Sequence, residues 1–309
     1  MASRRRIISR GLVLVLALGL LLGAALTAAM AKPLNPGNSP DQRLVEYRID
    51  IPAGDHVIPA ILAVPKAGGP NAGHPGVLMV HGFASQKDEV GDMYKREARY
   101  LAVAGYASLR IDFAGSGESA QPETANSFDG MVADTRTALD WFIDHSATDD
   151  DRVGILGFSL GSRIAATVAG TDDRIAAFAN WSGAVENGTD GWEDLFDTYY
   201  DEAEANGSVV VDLGWRTIEL SIEWFDTMAA SHALDDVAGY YGPLLAIAGE
   251  DDMSVDPIVS RQLILNAGSL DAMLRILPGA DHIYHVLGPD QTLAEQVMLL
   301  TAEWFADKL

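Results

Sequence analysis

The sequence predicts an α/β fold in which a mainly parallel sheet is flanked by helices on both faces. Three observations carry this. Strand-like and helix-like segments alternate from residue 45 to the end, as repeated crossover units require. GVLMVHG (76–82) is a short continuous apolar run, the mark of a strand covered on both faces. RVGILGFS (152–159) is a second such run, and it leads directly into a helical stretch of small residues.

The elements follow in order. VEYRIDI (45–51) and HVIPAILAVP (56–65) read as an opening strand pair, with the Ala-Gly-Asp tract between them as the turn. After 76–82 comes a helix from about Asp92 to Ala104, then the strand YASLRID (106–112). Phe128 to His145 places Met131, Val132, Thr135, Ala138, Leu139, Trp141 and Phe142 at helical spacing. Strand 152–159 and helix 162–170 are followed by strand RIAAFANWSG (174–183). Two strand–helix pairs close the chain: 243–250 with 257–267, and 272–279 with 291–306.

One region breaks the rhythm. Residues 184–241 are acidic, aromatic-rich and irregular in pattern, and too long for an ordinary loop of such a fold. They are expected to form an inserted cap. The core is then 43–183 together with 242–309. Of the cap aromatics Trp192, Phe196, Tyr199, Tyr200, Trp215, Trp224 and Phe225, most are expected to pack and two or three to face a ligand.

The beginning of the chain is a separate matter. A basic MASRRRIISR precedes an uncharged apolar stretch and the small-x-small triplet Ala29-Met30-Ala31, so residues 1–31 read as an export signal. The apolar stretch 11–30 is also long enough to serve as an uncleaved anchor, which makes secretion or periplasmic export the first expectation and an outward-facing anchored protein the second. Residues 32–42, with three prolines, form the linker.

The chain of 309 residues carries a net charge of −23, and loss of Arg4, Arg5, Arg6 and Arg10 with the leader would make it more acidic still. A phosphate backbone would be repelled, so nucleic acid is excluded as a partner. The acidic surface fits a saline habitat or simple drift in composition. With no cysteine there is neither disulfide nor thiolate chemistry. No metal-ligand spacing and no nucleotide-binding loop is present, so no cofactor is implied.

The chemistry centres on Gly157-Phe158-Ser159-Leu160-Gly161, a G-x-S-x-G between strand and helix. There a sharp turn lifts the serine above the sheet, and its neighbours must be small for the backbones to pass. The bland alternative is a serine capping a helix. A nucleophilic serine needs a base and an orienting acid, which on such a topology come from later strand ends in the order Ser, acid, His. Gly249-Glu250-Asp251-Asp252 follows one strand and Pro278-Gly279-Ala280-Asp281-His282 the next.

With His81-Gly82-Phe83 after the third strand and Asp112-Phe113-Ala114-Gly115-Ser116-Gly117-Glu118-Ser119 after the fourth, these motifs resemble those of the α/β-hydrolases across residues 45–308. Within that superfamily they are most like carboxylesterases of the feruloyl (cinnamoyl) type with an inserted cap. The resemblance implies an eight-stranded, mostly parallel sheet and a serine hydrolase of carboxylic esters acting through an acyl-enzyme. It implies Ser159 as nucleophile, His282 as base and Asp252 as acid, with the backbone N–H groups of Phe83 and Leu160 as oxyanion hole.

Asp251 is the alternative acid, though the three-residue step from Gly249 favours Asp252, and His285 is the alternative base. Asp112 is expected to brace its glycine turn, Asp256 to sit at a helix N-terminus, and His81 to serve structurally. An acyltransferase, a small-peptide hydrolase and a non-catalytic binding protein on the same fold remain the competing functions. The expected partner is a small-molecule ester.

Overall fold

The computed structural model describes residues 43–309; the leader and linker read from the sequence lie outside the described residues. Strands β1 (Leu44–Ala53) and β2 (His56–Pro65) pair antiparallel around a turn in which Gly54 takes φ 70°. β3 (His74–Val80), β4 (Ala107–Ile111), β5 (Thr148–Phe158), β6 (Ile175–Trp181), β9 (Leu244–Gly249) and β10 (Ala272–Leu277) complete an eight-stranded sheet. Its order is β1-β2-β4-β3-β5-β6-β9-β10, with β2 antiparallel to β4 and every later pairing parallel.

Helices cover both faces, which is why the central strands are unbroken apolar runs. On one face α2 (Phe128–Asp144), α3 (Leu160–Thr171) and α7 (Ile258–Asn266) bury Phe128, Leu139, Phe142, Ile164, Val168 and Leu263. On the other, α1 (Met93–Ala104) and α8 (Thr292–Lys308) bury Met93, Leu101, Val297, Met298 and Phe305. α2 starts where Ser127 Oγ accepts the Gly130 N–H, satisfying one of the free donors of the first turn. Among the described residues no helix is long and apolar enough to cross a membrane.

The irregular-looking stretch after β6 is ordered. It forms α4 (Glu193–Asn206), the antiparallel hairpin β7 (Ser208–Asp212) and β8 (Thr217–Ser221), α5 (Ile222–Ala229) and the short α6 (Ala233–Asp236). The hairpin alternates as a half-buried strand pair should: Val209, Val211, Ile218 and Leu220 point inward, and Val210 and Glu219 outward. These side chains join Trp224, Phe225 and Met228 in the same core cluster as α2 and α3.

Strand order decides where chemistry can sit. The parallel strands β3, β5, β6, β9 and β10 all end on one edge of the sheet. In such sheets the loops beyond the carboxyl ends of the strands form the crevice.

Candidate active site

Between the end of β5 and the start of α3, Ser159 adopts φ 52° and ψ −122°. A side-chain-bearing residue held there costs on the order of 1–3 kcal/mol, so the surroundings must impose it. They do: Ser159 N–H donates to Trp181 O at 3.0 Å, and Ser159 O accepts from Ser162 N at 3.0 Å and Ala184 N at 3.1 Å. The flanking glycines are required by contact. A Cβ on Gly157 would lie 2.5 Å from Gly161 O, and one on Gly161 would lie 2.1 Å from Val80 O. The serine is therefore part of a strained strand-to-helix turn, and its side chain makes no helix cap.

The loops after β9 and β10 meet. His282 Nδ1 lies 2.8 Å from Asp252 Oδ2. The second oxygen, Asp252 Oδ1, accepts the N–H groups of Ser254 at 2.8 Å and Val255 at 2.9 Å, which fixes the carboxylate plane. A carboxylate only accepts, so Nδ1 carries a proton and Nε2 faces away from the acid. Asp251, the alternative acid, is exposed and uses its N–H on Ala280 O. His285, the alternative base, is exposed and bonds through its N–H to Asp281 Oδ1. Asp256 Oδ1 accepts the Ile258 N–H at the start of α7.

Ser159 and His282 line one cavity of about 1190 Å³, together with Phe83, Phe158, Trp192, Ile218, Leu220 and Val255. No Ser159–His282 hydrogen bond is formed among the described residues; His282 is held through Nδ1 by Asp252. The N–H groups of Phe83 and Leu160 donate to no acceptor among the described residues. Of the aromatics after β6, Trp192 and Trp215 border the cavity, whereas Trp224 and Phe225 are buried and Phe196, Tyr199 and Tyr200 pack against the core.

A family model described as "alpha/beta hydrolase fold" matches residues 75–209. The solved structure of the esterase Est1E of Butyrivibrio proteoclasticus, with ferulic acid bound, superposes with a TM-score of 0.68 at 19% identity, covering 84% of this chain and 98% of that one. The esterase domain of a Rhodothermus marinus protein superposes with a TM-score of 0.62 at 23% identity, covering 86% and 98%. The chain has the alpha/beta hydrolase fold.

By sequence, this hydrolase-fold chain is 29% identical over 130 residues to the 2,6-dihydropseudooxynicotine hydrolase of Paenarthrobacter nicotinovorans, 41% of this chain and 32% of that protein. It spans about a third of the length of the curated relatives it matches.

Two residues that hold this hydrolase-fold site together, Arg163 and Tyr284, were not singled out in the sequence. Arg163, buried one turn after the serine, donates to Ala184 O at 3.0 Å, Gly188 O at 2.8 Å and Asp190 O at 3.2 Å, pinning the chain that leaves β6. Burial pulls its pKa down to about 10, still charged at neutral pH. Tyr284 accepts from Ser182 Oγ at 2.9 Å and donates to Ile247 O at 3.1 Å, tying the His282 loop to β9. Asp112 does brace its turn, accepting the Glu118 N–H at 2.9 Å, and it also accepts Lys87 N–H at 2.7 Å and Lys87 Nζ at 2.5 Å. A signal did exist for Arg163 and Tyr284: a charged or phenolic group inside an otherwise apolar stretch.

Among the described residues, the group of carboxylates close enough to share a cation is Asp149–Asp150–Asp151. It lies at the far end of β5 from Ser159, and Asp149 is already paired with Arg152.

Proposed function

We propose that this protein is an exported serine hydrolase that cleaves carboxylic esters. The observation that carries the reading is the Asp252–His282 pair at 2.8 Å, opening on the same cavity as a serine held in the strained elbow conformation. A packing or capping role for Ser159 gives no reason to build that strain, or to give a neighbouring imidazole a buried carboxylate.

In this reading Ser159 Oγ attacks the ester carbonyl carbon while His282 Nε2 takes its proton. Asp252 keeps the ring in the tautomer that leaves Nε2 free to accept, and stabilises the imidazolium that results. The carbonyl π pair moves to oxygen, and the N–H groups of Phe83 and Leu160 receive the oxyanion; a preorganised donor of this kind contributes on the order of 100- to 1000-fold in rate. Collapse expels the alcohol, which leaves with the proton from His282. Water then attacks the acyl-enzyme by the same route in reverse.

The segment after β6 acts as the cap over this cavity, with Trp192, Ile218 and Leu220 as its apolar wall and Trp215 at its edge. This composition suits an acyl or aryl group of modest size, and the ferulate held by one structural neighbour is consistent with it. Export rests on the leader pattern of residues 1–31.

The test is chemical. Wild type should be labelled covalently by a fluorophosphonate and should hydrolyse an aryl ester. Ser159→Ala should lose both while keeping its circular dichroism spectrum and melting temperature. Absence of labelling of folded wild type at any pH from 5 to 9 would overturn the reading. A panel of alkyl and aryl esters, a peptide amide and an added alcohol acceptor separates esterase from peptidase and acyltransferase.

A further inference from the structure

We propose that Glu89 is a positioning residue for the oxyanion hole, holding the Gly82–Phe83 backbone so that the Phe83 N–H faces the reacting carbonyl. The proposal rests on the serine hydrolase reading given above.

Two polar side-chain atoms converge on Gly82. Glu89 Oε2 accepts the Gly82 N–H at 2.7 Å, a buried bond. His81 Nδ1 lies 2.9 Å from Gly82 O, and because a carbonyl only accepts, Nδ1 donates. In a trans peptide the C=O and the following N–H point in opposite directions. Tying down Gly82 O thus turns the Phe83 N–H away from His81, on a residue whose side chain lines the same cavity as Ser159.

Gly82 itself rests on the elbow: a Cβ there would lie 3.2 Å from Phe158 O and 3.3 Å from Ser159 Cβ. A small shift of this glycine is therefore transmitted to the geometry between donor and nucleophile.

Glu89 does more than accept one bond. Its Oε1 takes the Ser85 hydroxyl at 2.5 Å and the Val90 N–H at 2.9 Å, so one carboxylate gathers both ends of the loop 82–90. The loop needs gathering. Ala84 and Glu89 take positive φ (54° and 62°), and so does Asp92 just beyond the loop (57°), which side-chain-bearing residues adopt only when the surroundings enforce it. Glu89 is buried and makes no ion pair among the described residues, so its charge is answered by the N–H and O–H dipoles it holds. A carboxylate buried beside a strained loop at a cavity wall is costly to keep, and positioning gives that cost a function.

The experiment compares Glu89→Ala, Glu89→Gln and Ser85→Ala with wild type. Positioning predicts that Glu89→Ala lowers kcat by about 10- to 100-fold, short of the full loss of a donor, with KM within about threefold. Affinity for an aryl boronic acid, which forms a tetrahedral anion on the serine, should fall in proportion to kcat/KM. Glu89→Gln keeps an acceptor for Gly82 N–H and should recover part of the rate, and Ser85→Ala should lose less than Glu89→Ala.

The proposal is overturned if folded Glu89→Ala keeps kcat within twofold, or if KM rises while boronate affinity stays unchanged. Should Glu89→Ala fail to fold, Glu89→Asp takes its place: its shorter side chain cannot reach the Gly82 N–H and the Ser85 and Val90 donors together, so wild-type kcat and boronate affinity in that variant overturn the proposal equally. Failure of the hydrolase reading looks different: wild type itself would then resist the fluorophosphonate.

Discussion

At the scale of single residues, the site is governed by which oxygen faces which donor. Asp252 divides its two oxygens, Oδ1 to the N–H groups of Ser254 and Val255 and Oδ2 to His282 Nδ1. In Asp252→Asn the two backbone donors still demand an acceptor, so the amide oxygen stays with them and its NH₂ turns toward the imidazole. Nδ1 must then accept, the ring proton moves to Nε2, and on the proposed mechanism His282 can no longer take a proton from Ser159. The expected loss in kcat is about 10⁴-fold with the fold intact, by analogy with the wrong-tautomer effect in other triads. Steady-state kinetics on an aryl ester, with thermal melting alongside, measure it; a loss below tenfold would mean that the acid does not set the tautomer. The pairing itself was legible in the sequence, because acid and histidine each follow directly on an apolar strand and their chain order is set by the topology. The partner of Gly82 was not. Glu89 lies seven residues on, and only the folded loop brings its carboxylate back to that N–H.

At the scale of elements, α1 carries an unresolved conflict. Glu97 is buried on its inner face against the second core cluster, and neither carboxyl oxygen has a hydrogen-bond partner among the described residues. Burial pushes its pKa well above the usual carboxylate value. The folded state therefore holds a proton that the unfolded chain releases above about pH 4.5. Stability from this group is present below that pH and is lost as pH rises toward the folded value, at up to about 1.4 kcal/mol per pH unit. Glu97→Met, which keeps the length and removes the polar oxygens, should be more stable at pH 7 by about 1–3 kcal/mol. Urea unfolding from pH 5 to 8 should show the gap between variant and wild type widening with pH; a constant gap would refute the assignment. A helix with such a residue on its apolar face still reads as a helix, since the other inward positions are Met93, Tyr94, Ala98, Leu101 and Ala102. The sheet was legible for the same reason: strands buried on both faces have no choice but continuous apolar sequence. The stretch 184–241 read as irregular chiefly because its longest helix, α4, buries little apolar surface. α4 buries fully only Ala203, and its exposed positions are crowded with Asp and Glu. Burial of its partly covered aromatics depends on α5 and the hairpin, which no local pattern encodes.

At the scale of the whole molecule, charge is the dominant unbalanced term. The chain carries 44 acidic side chains against 21 basic ones, and many of the basic ones are already spent in pairs. Salt acts on two opposing contributions. It weakens exposed ion pairs such as Arg48–Glu118 and Arg174–Asp140, which contribute about 0–1 kcal/mol each. It also screens the mutual repulsion of the excess carboxylates, which favours expansion of the chain. The buried Lys87–Asp112 contact lies out of reach of screening. Because the exposed pairs are individually weak and the net charge of −23 acts on every carboxylate at once, the second effect wins. Raising NaCl from 0.01 to 0.5 M shortens the screening length from about 30 Å to under 10 Å. The melting temperature should rise by a few degrees, corresponding to a gain of about 1–2 kcal/mol for a domain of this size. The rise should be steepest at low salt and nearly complete by about 0.5 M, once the screening length is comparable with the spacing of neighbouring surface charges. Scanning calorimetry in NaCl, with sucrose at matched osmolality as the uncharged control, separates screening from general solute exclusion. A melting temperature that stays flat or falls across the NaCl series would mean that attractive pairs outweigh the excess charge, and that the acidic composition costs the fold nothing.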